Sequence, residues 1–320
     1  MKRNSPSDKL AKKRALLLER TAAALEVTPG DAERLLSTER EQSIRLNPLR
    51  TAPSSTLDEL RRLGWHGAPY EWAPDCYSAD GKLDEIKNSG LASNGSLYIQ
   101  NAASWIPVTV LDPQSHERVL DVCAAPGGKT THIAAASGGT AQITANDNSR
   151  ARLMKLQAVC AQLNAPIERF TLFDARALGR KLAGESFDKI LLDAPCSGEG
   201  MMRYDSDKDF ATWSVAQIKR LQTVQKRILT QAWQLLKPGG TLVYSTCTIA
   251  PEENEAVISY ALRTLDDVTI LPIDLMLDNR TNPVKTWNSK VFQPEVQACL
   301  RLKPSSSIEA FFVAKLHKKQ

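Results

Sequence analysis

From about residue 104 onward the chain alternates short, continuously apolar runs with longer segments of helical period, and few folds accept that pattern. The strand-like runs are 118–122, 141–145, 167–172, 189–192 and 241–245. Helical patterns lie between them. The longest covers 215–236 and is stopped by Lys237-Pro238-Gly239-Gly240. Strands apolar on both faces and separated by helices predict a mostly parallel sheet covered on both sides, doubly wound and Rossmann-like. The last apolar run, 310–316, is expected to be a late antiparallel strand at the sheet's edge.

The first 103 residues read differently. A loose 3.6-residue stripe (Leu10, Ala11, Leu16, Leu17, Ala23, Leu25) predicts a basic helix over 1–30. Thr28-Pro29-Gly30-Asp31 suits the first turn of a second helix. A short strand follows at 43–50, closed by Pro48, then a helix over 56–63 with Gly64 as its stop, then a strand at 97–100. The expected organisation is a small N-terminal α/β extension, residues 1–103, and a catalytic α/β domain, residues 104–320, which 320 residues can accommodate.

Composition narrows the function classes. With 42% hydrophobic and 24% charged residues, and no run of eighteen apolar residues, no membrane span is expected. The apolar stretch 15–18 is too short for a signal peptide, so a cytoplasmic monomer is expected. None of the six cysteines forms a Cys-x-x-Cys pair, so neither a metal site nor a disulfide framework is expected. Cys76, Cys160 and Cys299 read as small buried hydrophobes. The net charge of +5 permits a polyanion partner. Basic residues gather at both ends, as Lys2, Arg3, Lys9, Lys12, Lys13 and Arg14, and as Lys315, Lys318 and Lys319. Together with Arg45 and Arg50, the basic ends predict a phosphate-contacting N-terminal module.

The chemistry gathers at the carboxyl ends of the strands, where open α/β sheets bind ligands. The first strand runs into Cys123-Ala124-Ala125-Pro126-Gly127-Gly128-Lys129-Thr130, whose small residues let a loop backbone approach a ligand ahead of a helix N-terminus. The loop is neither a P-loop nor a dinucleotide Gly-x-Gly-x-x-Gly. Asp147 ends the second strand and suits ribose hydroxyls; Asp174 ends the third and can accept from an adenine amine; Asp193 ends the fourth. Any one of these alone would more often be a helix N-cap. Together they favour a cofactor with ribose, adenine and a cationic end, which fits S-adenosylmethionine. Two thiols, Cys196 and Cys247, follow the fourth and fifth strands.

Asp121-Val122-Cys123-Ala124-Ala125-Pro126-Gly127-Gly128-Lys129-Thr130, Asp193-Ala194-Pro195-Cys196-Ser197-Gly198 and Ser245-Thr246-Cys247-Thr248 with Pro251-Glu252-Glu253-Asn254-Glu255 resemble the motifs of the RsmB/Nop/Sun family of RNA (cytosine-5) methyltransferases. The resemblance runs from about Arg45 to Leu316 and departs at Glu309-Ala310, where the family usually has Asp-Gly. It implies that Cys123 to Lys129, Asp147, Asp174 and Asp193 bind the cofactor. It implies that Cys247 is the nucleophile and that Cys196 helps release the product. The chemistry is consistent with this. Carbon 5 of cytosine is a poor nucleophile until a thiolate adds to carbon 6. A carboxyl near N3, for which Asp193 is placed, can protonate the base as charge develops. The substrate implied is ribosomal or transfer RNA. Two rivals remain: an RNA-binding assembly factor without catalysis, and a DNA cytosine-5 methyltransferase. The latter uses a Pro-Cys like Pro195-Cys196 but with a Glu-Asn-Val companion that is missing here.

Overall fold

The computed structural model describes residues 6–320, so Lys2 and Arg3 lie outside the described residues. Helix α1 is Pro6–Leu25 and helix α2 is Pro29–Ser37. Thr28 caps α2 by accepting from the Asp31 amide, and Pro29 sits in the first turn, where no amide hydrogen is needed. Of the apolar stripe of α1 only Leu17 and Leu25 are buried and Leu10 is partly so, while Ala11, Leu16 and Ala23 are exposed. Leu17, Ala24 and Leu25 pack with Met202, Phe210, Trp213 and Ile249 from the second half of the chain. Lys13 donates to the carbonyls of Phe210 and Ala211, and Arg14 to the Tyr204 carbonyl and the Asp207 carboxylate. These two basic residues therefore fasten the helix down, while Lys9 and Lys12 remain exposed.

A small antiparallel sheet follows, formed by β1 (Ser43–Leu46), β2 (Pro69–Tyr70), β3 (Ala73–Ser78) and β4 (Leu97–Gln100) in the order β2-β3-β1-β4. Every residue of β1 is buried. This corrects the expectation for Arg45, which is 1% exposed and cannot reach a phosphate. Its Nη2 donates to Thr131 Oγ1 at 2.9 Å, and burial pulls its pKa down to about 10. Arg45 thus ties the small sheet to the helix Gly128–Ala136. Arg50 is exposed and donates to the Asn94 carbonyl.

The large sheet contains β5 (Arg118–Asp121), β6 (Gln142–Asn146), β7 (Arg169–Thr171), β8 (Phe187–Asp193), β9 (Leu236–Thr246), β10 (Val268–Leu271) and β11 (Arg280–Thr281). After a separate hairpin, β12 (Thr286–Trp287) and β13 (Lys290–Val291), it is completed by β14 (Leu300–Leu302) and β15 (Phe311–Lys318). The order is β11-β14-β15-β9-β8-β5-β6-β7, with β10 also on β15. The five strands β9-β8-β5-β6-β7 are parallel, as their apolar runs predict. Ile190, Leu191 and Leu192 of β8 and Leu242, Val243 and Tyr244 of β9 are all fully buried.

β15 is antiparallel, as expected, but it is not an edge. It pairs with β9 over Phe312–Thr246 to His317–Thr241 and also bonds β14 and β10. Its continuous burial from Phe311 to Ala314 is the reason: both faces and both sides are covered. The long helix ends at Gln234, and β9 already begins at Leu236. Cys76, Cys160 and Cys299 are buried, as the sequence predicts. No helix among the described residues is long and apolar enough to cross a membrane.

Candidate active site

The chain runs outward through β5, β6 and β7, then returns to β8 on the other side of β5. Strand order reverses between β5 and β8, which opens a crevice at their carboxyl ends. Both motif loops start there. The first turns through a cis Ala125–Pro126 bond and Gly127, whose φ of 116° suits a residue without a side chain, into the helix Gly128–Ala136. A Cβ on Gly128 would meet Gln100 Nε2 at 2.8 Å, so the small sheet closes over this turn.

Cys123, Ala124, Ala125, Pro126, Gly128, Lys129 and Asp193 line one cavity of about 230 Å³ with Tyr98, Gln100, Ser104 and Asp121. Seven of the ten cofactor residues expected from the sequence are thus brought together. Gly127, Asp147 and Asp174 do not line it. Asp147, just past β6, is 2% exposed, accepts from the Ser149 amide and lies 3.4 Å from Arg152. Asp174 accepts from the Arg176 amide as the N-cap of a short 3-10 turn, and its carboxylate is engaged by the Arg176 guanidinium. That side-chain bond, with the backbone bond beside it, holds Asp174 below the usual carboxylate range.

Asp121 adds a feature that the sequence reading quoted only as part of a motif. It is 1% exposed, and burial pushes it up to about 7 although Thr130 donates to its Oδ2 at 2.7 Å. Its Oδ1 and the Oε1 of Gln100 are buried acceptors with no partner among the described residues, and both residues line the cavity. Two unsatisfied acceptors suit a ligand bearing an ammonium or hydroxyl group, and leaving them unpaired is costly.

Asp193, the last residue of β8, stands opposite Ser245 of β9 in the parallel ladder. Ser245 Oγ donates to its Oδ1 at 2.8 Å, and Lys129 Nζ is 2.7 Å from its Oδ2. Burial pulls the Lys129 ammonium down, but Asp193 more than offsets this and holds it above the usual lysine value. The same ammonium lies 5.9 Å from the Phe311 ring centroid. The carboxylate is therefore fixed from two sides.

Cys196 and Cys247, which are 51 residues apart in sequence, meet with sulfurs 3.3 Å apart. Their loops are stapled together. Ser197 Oγ lies 2.8 Å from Thr248 Oγ1, and the Gly200 amide donates to the Cys247 carbonyl at 2.9 Å. Glu199, buried, accepts from Thr248 Oγ1 and from Trp213 Nε1. Glu253 accepts from the Ser197 amide at 3.0 Å and from Gln225 Nε2 at 2.7 Å; burial pushes it up to about 7. Gln225 also holds the Pro195 carbonyl. The Cys196 thiol is pushed well above its ordinary value, first by its hydrogen bond with Cys247, then by burial. Either sulfur can donate in the contact between them.

The two thiols and Asp193 were legible as strand-end residues. Ser245, Glu253, Gln225 and Glu199 were not singled out. A serine one strand over from an aspartate, at the same height in two parallel apolar runs, was the available signal for Ser245.

A family model described as 16S rRNA methyltransferase RsmB/F matches residues 108–317. Ribosomal RNA small subunit methyltransferase F of Klebsiella pneumoniae (strain 342) is 36% identical over 283 residues, 87% of this chain and 57% of that protein. The chain thus spans little more than half the length of such curated relatives. The crystal structure of a methyltransferase homolog protein from Pyrococcus horikoshii superposes with a TM-score of 0.76 at 28% identity, covering 98% of this chain and 100% of that one. NSun6 from Pyrococcus horikoshii, solved with SFG, shares the fold with a TM-score of 0.78 at 21% identity, over 95% of this chain and 98% of that one. Family model, relatives and fold agree, and the chain belongs to the RsmB/F family of 16S rRNA methyltransferases.

Proposed function

We propose that this protein methylates carbon 5 of a cytosine in RNA, ribosomal RNA in the first place, with S-adenosylmethionine as the methyl donor and a transient bond between Cys247 and the base. The observation that carries this reading is the pair of thiols 3.3 Å apart, beside a carboxylate clamped by Lys129 and Ser245. The curated relatives named for ribosomal RNA favour that substrate over transfer RNA.

S-adenosylmethionine supplies a methyl group made electrophilic by its sulfonium. Its holders are the Cys123–Lys129 loop and Asp193, with Asp121 and Gln100 offering acceptors to its amino-acid end. Asp147 takes the ribose. Asp174 would give up part of its bond to Arg176 to accept from the adenine amine.

The protein's own steps follow from its side chains. Cys247, as thiolate, forms a bond to carbon 6, which makes carbon 5 nucleophilic. Asp193 relays a proton to N3 as negative charge develops there, taking it from the Lys129 ammonium 2.7 Å away, while Ser245 keeps its orientation through the reaction. Once carbon 5 carries its methyl group, solvent takes up the carbon 5 proton, the electrons of that bond restore the carbon 5–carbon 6 double bond, and Cys247 leaves carbon 6 as thiolate. Cys196 sits 3.3 Å from that sulfur, in reach to assist the release. Residues 104–320 form the catalytic unit, and residues 1–103 extend its RNA-binding face.

Methyl transfer to unmodified small-subunit ribosomal RNA, transfer RNA and DNA, followed by nucleoside mass spectrometry, tests the reading. 5-Methylcytidine in RNA alone is expected. Methyl groups on another base, or on DNA, would contradict it. Calorimetry should show Asp147→Ala weakening cofactor binding by about 1–3 kcal/mol, the cost of a lost hydrogen bond at a buried charge.

A further inference from the structure

A second cavity, of about 710 Å³, lies between the end of α2 and the catalytic loops, lined by Arg40, Asn101, Met201, Arg203 and Glu309 among others. It adjoins the first. Gln100 lines one and Asn101 the other, and the charges of Lys129 and Asp193 act on Glu309. The cavity therefore lies next to the reacting groups, although none of Asp193, Cys196 and Cys247 lines it.

Glu309 is only 5% exposed, yet it makes no hydrogen bond or ion pair among the described residues. Burial pushes its carboxyl up to about 7, against the pull of Lys129 and Arg40. Arg40 faces the same cavity with Nε and Nη2 buried and without partners, although its charge is close enough to act on Glu309. Leaving the buried Arg40 nitrogens unpaired is unfavourable unless something binds there. Beside them Met201 offers an exposed apolar side chain. Arg203 has its guanidinium in solvent, 3.5 Å from the exposed Asp205 carboxylate. An acceptor, an apolar platform and two cations match the parts of one nucleotide: a base edge, a base face and its phosphates.

We propose that this cleft seats a nucleotide adjoining the target cytosine, with Glu309 accepting from an exocyclic amine of its base and Arg40 holding its phosphate. The inference rests on the RNA-methyltransferase reading and adds to it a residue that selects sequence. Cytosine, adenine and guanine carry such an amine, whereas uracil presents only carbonyl oxygens and one ring N–H. Above about pH 7, where Glu309 is ionised, its carboxylate facing a uracil oxygen is left unpaired and repelled, which places the penalty on uracil.

The test uses the full chain and a set of short RNAs bearing the target cytosine, with uridine placed in turn at each flanking position. Affinity is read by fluorescence anisotropy over a salt series, and methyl transfer as kcat and KM separately. The wild type should bind about tenfold more weakly when uridine occupies one particular flanking position, the scale of a lost specific base contact. Glu309→Gln should remove that preference, because a carboxamide can accept from an amine or donate to a carbonyl. Glu309→Asp should keep the preference with weaker affinity, which guards against misreading a folding defect. Arg40→Ala should weaken all the RNAs alike and reduce the slope of log affinity against log salt by about one; Arg40→Lys should restore the slope. Cofactor affinity should be unchanged in all four variants. Wild-type protein that methylates RNA but ignores uridine at every flanking position overturns this proposal alone. A preference that persists in Glu309→Gln overturns it too. Absence of methyl transfer to every RNA overturns the underlying reading instead.

Discussion

At the scale of single residues, the site depends on how Asp193 is held. One oxygen is fixed by Ser245 and the other by Lys129, so each keeps limited capacity for a base. Removing the serine hydroxyl leaves the ion pair but frees one oxygen to turn. Ser245→Ala should lower kcat by roughly tenfold, below the ~10²–10⁴ that a positioned acid contributes outright, with KM for the cofactor little changed. A fall in cofactor affinity with kcat intact would place Ser245 in the cofactor site instead. Asp193, Cys196 and Cys247 were legible because each follows an apolar run directly. Glu253 and Gln225 were not, since their partners, Ser197 and Pro195, lie 56 and 30 residues away and only the fold joins them. Arg45 was misread for the same reason: a strand arginine looks solvent-facing until helix and sheet close over it.

At the scale of elements, the ends of β8, β9 and β15 converge on Gly200. A Cβ there would lie 2.3 Å from the Ala310 carbonyl oxygen and 2.9 Å from that of Cys247. The Gly200 amide is meanwhile bonded to the same Cys247 carbonyl. Gly200→Ala must push the Cys196 loop away from the Cys247 loop. The expected cost is about 1–3 kcal/mol of stability, typical of overpacking, with a larger proportional loss of activity because the thiols separate. Thermal melting and a methyl-transfer assay on one preparation check this; a variant equal to wild type in both would mean that the loops yield without consequence. The parallel strands were legible from apolar runs alone. The position of β15 was not, because an antiparallel strand inserted between β14 and β9 has the same run of apolar residues as one at the border.

At the scale of the whole molecule, buried acids set the response to pH. Burial pushes Asp121, Glu253 and Glu309 up to about 7, while in the unfolded chain such groups titrate near 4. Between roughly pH 4.5 and 7 the folded protein therefore holds more protons than the unfolded chain, and stability falls as pH rises through that window. His132 acts in the opposite sense, since burial holds it well below its ordinary value, but it is one group against five, because burial raises Glu199 and Glu255 as well. Glu185, held down by Arg169, and Asp174, held down by Arg176, matter only in more acid solution. The melting temperature without cofactor should be higher at pH 5 than at pH 8, and Asp121→Asn should flatten the dependence. A melting temperature that climbs steadily to pH 8 would contradict these burial-driven shifts. The sequence could not show this, because each of these acids is ordinary until its surroundings are known.

The most direct test of the whole account separates the two sulfurs. Each of Cys196→Ala and Cys247→Ala is incubated with S-adenosylmethionine and unmodified small-subunit ribosomal RNA, then run on a denaturing gel. If Cys247 bonds to carbon 6 and Cys196 assists release, Cys196→Ala should accumulate a protein–RNA adduct that requires both the cofactor and the target cytosine. Cys247→Ala should give neither adduct nor product. An adduct in Cys247→Ala and none in Cys196→Ala would exchange the two roles, and full activity without adduct in both variants would contradict the covalent mechanism itself.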